Sequence, residues 1–394
     1  MSLPPPKIIP FFDEDHVARR RLNRRVPRLL FLVGVAAAAL GSCNYESFVL
    51  PPPLPKDYVI HELGLLPGGT QSQARAGSMT TVVGWGIVSG TAHHAVTFSG
   101  GQAHALTEPA GAANSEARGV NDAGIIVGFA TVSGVREGVV WASPTAPPLV
   151  LPTLGGVYGF ARNVNADGVI FGAAQTDTGD TVLVLWTPNG SGYDVAPADT
   201  TGTAVGYEPT SINDRGQLAG NTDDDGFIFT PGGGGGDDED DSGNGFDEVE
   251  PPEGGDDPDV NGFNNFGVIV GGYDAPGGVS RAFVFTTPAG SLELGAPPAG
   301  FTSVEGNAVS DSGVITANIT GTDSASNTIT RAVVGAIVDT ASTWTVLPTL
   351  GGLRASPQDN AVNTCGVVFG SASKAPSATV LYAVAWVPTG CTIP

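Results

Sequence analysis

The chain has 394 residues, with 17 Lys and Arg against 39 Asp and Glu, for a formal charge of −22. A surface this acidic repels nucleic acid and anionic membranes, which excludes both as charge-driven partners. It leaves divalent cations and basic partners as the electrostatic attractions, and it also serves plain solubility.

Residues 1–16 are Pro-rich, carry Asp13, Glu14 and Asp15, and read as nothing foldable. Arg19, Arg20, Arg21, Arg24, Arg25 and Arg28 follow, then an uncharged stretch over 29–42, then Cys43. A basic segment before a short apolar one reads as a secretory signal over 1–42. Leu40-Gly41-Ser42-Cys43 resembles the lipobox of bacterial lipoproteins. The resemblance implies cleavage before Cys43 and acylation of that residue; several acyl chains would anchor stably where one would not. The competing reading is an uncleaved transmembrane anchor, since residues 29–45 carry no charge and reach the lower edge of a membrane span. Asn44, in place of an Asp after the Cys, favours the outer membrane or cell surface over an inner membrane; a secreted form is the alternative. The long segment before the signal suggests a later translation start, for example at Val17. Residues 43–56, with the run PPPLP, form a stiff tether. From Cys43 onward, 10 Lys and Arg face 36 Asp and Glu, a balance of −26.

From 57 to 394 one unit recurs, clearest over 115–156. It holds four short strands at 117–121, 125–130, 139–141 and 149–151, rich in Val, Ile and aromatics and bounded by Gly, Pro, Ser and Asp. No helical period is sustained. An Asn-Asp-x-Gly turn joins the first two strands: its Asn side chain can bond the backbone two residues on, and its Gly supplies positive φ. The turn Gly recurs at Gly124, Gly168, Gly216, Gly267, Gly313 and Gly366, spaced 44 to 53 residues apart. Three residues before each stands Asn121, Asn165, Asn213, Asn264, Ser310 and Asn363. Four residues after stands Gly128, Gly172, Gly220, Gly271, Ala317 and Gly370. Small residues there would relieve crowding near an axis. An earlier copy keeps the strand Val82-Val83-Gly84-Trp85 without the turn signature.

Four strands per ~45 residues is the period of a propeller blade. Such a sheet cannot bury both faces alone, so neighbours must cover it. Third strands at 94–98, 138–141, 181–186, 226–229, 281–285, 331–338 and 381–386 give an all-β propeller of seven four-stranded blades, with six or eight left open by the irregular first and sixth copies. The segment 58–64 reads as a fourth strand and the chain stops after a third one, so the N-terminal strand is expected to complete the last blade.

Two copies share the run PTLGG, at Leu154-Gly155-Gly156 and Leu350-Gly351-Gly352. With the following A-x-x-VN-x-x-G pattern from Leu154, the repeat resembles the bacterial extracellular HAF-repeat family. The copy from Leu350 departs by extra residues before Val362-Asn363. His94-Ala95-Val96, His104-Ala105-Leu106 and Arg281-Ala282-Phe283 echo the family's His-Ala-Phe signature. The resemblance covers roughly 58–394, implies export, and transfers no catalytic residue.

A Gly-rich acidic insertion occupies 231–245. Within it Asp240-x-Ser242-x-Asn244-Gly245 fits the first half of a calcium loop, with Glu248 near its end. Pro251 stands where the loop wants a bidentate Glu, so a disordered acidic loop competes with a weak calcium site. No cofactor is expected, with a weak calcium ion at this loop as the one alternative. Cys365 and Cys391 fall in loops that share a face of the last blade, either as an exported disulfide or as two free thiols. His93, His94 and His104 cluster in the first copy; surface His outweighs zinc. No G-x-S-x-G or H-E-x-x-H run appears, so no catalytic residue is assigned. The expected function is a non-catalytic cell-surface scaffold binding a protein or glycan over the face with the LGG loops. An extracellular hydrolase or lyase acting on polysaccharide or peptide is the alternative. Small first-strand residues such as Ala117, Ala161 and Ala308 favour the scaffold; charged residues gathered at one axial mouth would favour the enzyme.

Overall fold

The computed structural model describes residues 57–198, 207–222, 225–231, 245–287, 289–336, 344–375 and 380–394. Within them lie seven four-stranded antiparallel sheets arranged as a β-propeller, with no helix. Blades 1 to 6 span 71–105, 112–150, 155–197, 208–249, 256–293 and 301–346. Blade 7 takes three strands from 355–388, and its fourth is the N-terminal strand Tyr58–Glu62. That strand pairs with Tyr382–Pro388, from Tyr58 opposite Pro388 to Glu62 opposite Val384. The segment carrying Cys43, the signal and the tether lies outside the described residues.

The second strands read as unbroken apolar runs because both faces of each blade are covered. Successive side chains point to opposite faces, so neighbouring residues serve different interfaces. In blade 2, Ile126 packs toward blade 1 and Val127 toward blade 3. In blade 7, Val368 packs toward blade 6 and Phe369 toward blade 1. One buried apolar cluster occupies each of the seven blade–blade interfaces, including that between blades 7 and 1. Ala117 and Ala161 are fully buried within these clusters, and Ala308 is fully buried as well. They do not line a mouth, so their small size reports tight blade packing and says nothing of the axial opening.

The turns do more than reverse the chain. Each turn Gly has positive φ, for example 82° at Gly124 and 80° at Gly267. In Asn264, Oδ1 accepts the backbone N–H of Phe266 and Val268, each at 3.0 Å, while Nδ2 donates to the carbonyl of Ser310 in the next blade at 3.1 Å. Asn121, Asn165 and Asn213 donate likewise to the carbonyls of Asn165, Asn213 and Asn264, and Asn363 donates to Ser78. The blade 1 turn is shorter and holds Ser78 at this place, where its Oγ accepts from the N–H of Thr80 and Thr81. A second ring sits one residue on: the backbone N–H groups of Met79, Ala166, Asp214 and Asn265 donate to side-chain oxygens of Asp122, Asp214, Asn265 and Asp311 in the following blade.

Glycine four residues past the turn answers to a close backbone, not to crowding at the axis. The first strand carries a register shift in each blade, as between Ala117 and Gly119. There the carbonyl of Glu116 is driven against Gly128, and a Cβ on Gly128 would collide with it. Equivalent collisions meet Gly84, Gly172, Gly220, Gly271 and Gly370. In blade 6 the roles exchange, with Ala317 opposite Gly306.

Third-strand tryptophans fix the blade-to-blade linkers. Trp141, Trp186 and Trp386 donate from Nε1 to the carbonyls of Thr107, Pro152 and Pro348, each at 2.7 Å. The last two acceptors are the prolines of the PTLGG runs. In blade 6 Trp344 comes from the fourth-strand side, lies over Gly335 and donates to Gly295. Cys365 and Cys391 are disulfide-bonded, with Cα atoms 6.2 Å apart.

Replacing Asn264 by Ala strands two turn N–H groups and removes the link to Ser310, whose carbonyl keeps only the Gly313 N–H. Urea unfolding is expected to show a loss of about 1–3 kcal/mol. Asn264→Ser should lose less, because Ser310 already serves the same position in blade 6 with its Oγ accepting from Val314 N.

Candidate functional site

The first strands of all blades surround the axis, and counting back from the turn Asn or Ser gives the wall its chemistry. Three residues back stand Arg75, Arg118 and Arg162 in blades 1 to 3, then Thr210, Asn261 and Asn307 in blades 4 to 6. Five residues back stand Gln73, Glu116, Phe160, Glu208, Asp259 and Glu305. Guanidinium groups thus occupy one side and carboxylates dominate the other.

Blade 7 crosses between them. Its first strand pairs Pro357 with Gly370 and Val362 with Val368, leaving Gln358, Asp359, Asn360 and Ala361 in between. In blade 2 only Arg118 and Gly119 separate the equivalent Ala117 and Val120. The surplus pushes out as a plug, with Asn360 at φ 56°. Gln358 Oε1 accepts from Arg75 Nη1 at 2.5 Å. Asp359 accepts from Asn307 Nδ2 at 3.1 Å and lies 3.5 Å from Arg162 Nη2. Asn360 donates to Ser211 Oγ at 2.5 Å and accepts from the N–H of Phe263 at 3.3 Å. This one segment therefore touches blades 1, 3, 4, 5 and 6.

Two cavities lie along the axis. The larger, about 200 Å³, opens among the Asn-Asp turns and is lined by residues such as Asp122, Asp214, Asn265 and Asp311. The smaller, about 60 Å³, lies among Arg75, Arg118, Arg162, Thr210, Gln358 and Asp359. Asn163 and Asn360 line both, so the plug stands between the two spaces.

Glu116 anchors the basic side. Its residue is 5 % exposed. Oε1 is 2.7 Å from His93 Nδ1, and the His93 ring stacks on Trp85 at 3.9 Å. Oε2 is 2.9 Å from Arg118 Nε and 3.6 Å from Arg75 Nη2. Burial pushes this carboxyl up, but the His93 hydrogen bond and then Arg118 and Arg75 outweigh it, so its pKa lies below the usual carboxylate range. Burial lowers Arg118 to about 10 against the pull of Glu116, with Arg75 and Arg162 adding repulsion. Across the axis Asp259 is raised, first by burial and then by Asp257, Asp359 and Glu208. Glu305 is raised by burial, then by Asp359 and Asp259.

His93 and His94 are half-buried against carboxylates, whereas His104 is exposed. His93 is held by Glu116 from the next blade, and His94 Nδ1 sits 3.0 Å from Glu108 Oε1. His104 reaches only the Ser99 carbonyl, at 3.4 Å. The three do not converge. Glu248 lies in the fourth strand of blade 4, Phe246–Val249, opposite Phe227. Asp240, Ser242 and Asn244 fall outside the described residues, as do Asp223 and Asp224. Among the described residues no group of three or more His, Cys, Asp or Glu is placed to hold a metal ion. The turn glycines stand at the mouth opposite the LGG loops. Charged residues do gather on the axis, contrary to the apolar lining expected from Ala117, Ala161 and Ala308. Part of the signal was available: aligned on the turn Asn, Arg118 and Arg162 fall at the same place, and Arg75 joins them once Ser78 is seen to hold the equivalent position.

No family model matches the chain, and no curated protein matches it. Among solved structures, a Xanthomonas campestris protein described as a gluconolactonase aligns at 12 % identity over 84 % of this chain and 90 % of its own, with a TM-score of 0.36. Similarity at that level carries no argument about activity, and the propeller assignment rests on the seven sheets themselves.

The two sides of the axis respond oppositely to pH. An ionised Glu116 stabilises the fold fully above its unfolded pKa, and this is lost as pH falls through its lower folded value. Asp259 and Glu305 have raised folded values, so their protonation favours the fold and that gain disappears as pH rises through those values. The difference in urea midpoint between the native chain and Glu116→Gln should therefore shrink in acid, below the ordinary carboxylate range. The penalty that Asp259→Asn with Glu305→Gln relieves should be full above the raised folded values, shrink as pH falls through them, and vanish only below the ordinary carboxylate range.

Proposed function

We propose that the protein is an exported, lipid-anchored scaffold, held at the outer membrane or cell surface through Cys43, that binds a protein or glycan over the face bearing the LGG loops. The observation that carries this reading is the filled axis. Small-molecule sites usually enclose about 300–1,000 Å³; the axial spaces here are about 200 and 60 Å³. Glu116 and the arginines are engaged with one another and with the plug. The opposite face offers the linker loops and Val157, which is 66 % exposed at the start of blade 3. The HAF-type repeat and the lipobox-like run support an exported setting.

A second reading has its own observation. Asp259 and Glu305 are raised while Glu116 is lowered, and paired carboxylates pushed apart in this way are what a glycoside hydrolase uses. On that reading the plug would have to withdraw before a polysaccharide could reach the axis.

Two measurements test the proposal. Expressed in a bacterial host, the native protein should partition into detergent with acyl mass, and Cys43→Ala should release it unacylated. The lipidated protein should then retain a glycan or peptide from an array without releasing product, and Val157→Asp should weaken that binding about tenfold, ~1.4 kcal/mol. Turnover of the retained ligand that is abolished by Asp259→Asn would instead establish the enzyme.

A further inference from the structure

Three of the ten basic residues found after Cys43 meet in one small chamber of a very acidic chain. Arg75, Arg118 and Arg162 come from three successive blades, and their side chains are only 24 %, 22 % and 24 % exposed. Each guanidinium carries five N–H donors and no acceptor. Among the described residues the trio makes one hydrogen bond to protein, from Arg75 Nη1 to Gln358 Oε1. Arg75 Nε and Arg118 Nε are buried without a partner. Arg118 Nε approaches Glu116 Oε2 at 2.9 Å but off hydrogen-bond geometry. Arg162 stays 3.5 Å from Asp359, beyond an ordinary hydrogen bond. In the lining of the chamber three guanidiniums face one carboxylate, Asp359, while Glu116 stands behind Arg75 and Arg118. A buried donor without an acceptor is costly; burial first, and repulsion from neighbouring guanidiniums after it, lower the pKa of Arg75 and Arg118.

We infer that Arg75, Arg118 and Arg162 form a binding site for one small oxyanion, taken up as a free inorganic anion or as the carboxylate of an acidic sugar. Planar guanidinium forks match carboxylate and phosphate oxygens in pairs. A space of about 60 Å³ holds roughly two waters, at about 30 Å³ each. That admits a single oxyanion group and no sugar ring. Thr210 lines the same chamber, but its hydroxyl already donates to the Val260 carbonyl at 3.0 Å, so the donors of the site are the guanidiniums. Gln358 and Asp359 of the plug stand on the site as its internal competitors: Gln358 offers a neutral oxygen to Arg75, and Asp359 offers a carboxylate to Arg162. The inference is independent of what the LGG face binds, since it concerns the opposite wall chemistry and a different scale of ligand.

Titration calorimetry on the full lipidated protein in detergent, at fixed ionic strength, tests it. The probes are inorganic phosphate, glucuronic acid, and glucose as the uncharged counterpart. One phosphate or one glucuronate should bind per chain, and glucose should not. Phosphate alone would mark a free-anion site, and glucuronate alone a site for acidic glycans. Arg118→Gln should weaken binding at least tenfold. Asp359→Asn removes the competing charge and should strengthen binding several-fold, a gain that damage to the fold cannot imitate. Absence of binding by both anions overturns the inference. So does glucose binding as well as glucuronate, or an affinity that Asp359→Asn leaves unchanged or lowers.

Discussion

The hydrogen bond from a turn asparagine to the next blade's turn carbonyl is the contact on which the ring depends. A β-blade of four strands has two faces and no means of fixing the angle to its neighbour through apolar packing alone, because that packing is non-directional. The turn Asn adds direction. Its Oδ1 closes its own turn, and its Nδ2 reaches the turn carbonyl of the next blade, which at Asn165, Asn213, Asn264 and Ser310 also accepts its own turn Gly N–H. Repeated at Asn121, Asn165, Asn213, Asn264 and Asn363, it sets blade against blade at one level. Ser78 and Ser310 lack the second arm; at Ser78 the Met79 N–H and the Thr80 hydroxyl reach Asp122 of the next blade instead.

Closing the ring brings the inner strands together, and their polar residues then have to be satisfied inside it. Arg75, Arg118 and Arg162 on one side and Asp259 and Glu305 on the other would repel among themselves across an empty axis. The surplus residues of blade 7 lie between them: Gln358 and Asp359 complement the arginines, Asn360 bonds Ser211 and the Phe263 amide, and Asp359 adds to the repulsion felt by Asp259 and Glu305. The plug thus belongs to the same closure as the turn belt. It contacts five other blades from a segment of four residues, which ties the last blade to the rest beyond its two flanking interfaces.

Much of this was legible in the chain. Turn glycines at near-constant offsets placed the hairpins, and the seven third strands fell where aromatics and valines recur. Tyr58–Glu62 read as a fourth strand and pairs as one with Tyr382–Pro388. The axial chemistry was hidden for a physical reason: its members stand about one blade apart in sequence and no local motif joins them. His93 and Glu116 are 23 residues apart, and Arg75 and Gln358 are 283 apart. The glycine after the turn was recognised as a close-approach site, but the neighbour is the bulged carbonyl of the same blade, which periodicity cannot reveal. The extra residues before Val362 stood out only as a departure from the repeat; that departure is the plug.

A closed ring should open as a whole, whereas an open array of repeats can lose its units one at a time. Native-state hydrogen exchange of the amides that donate to the belt side chains, those of Ile125, Val169, Gln217, Val268, Val314 and Val367, tests this most directly. The account predicts that all six exchange with the free energy of global unfolding and respond together to urea. Exchange of the blade 7 and blade 1 region at a distinctly lower free energy, with blades 3 to 5 still protected, would contradict it and show that belt and plug do not close the ring as one cooperative unit.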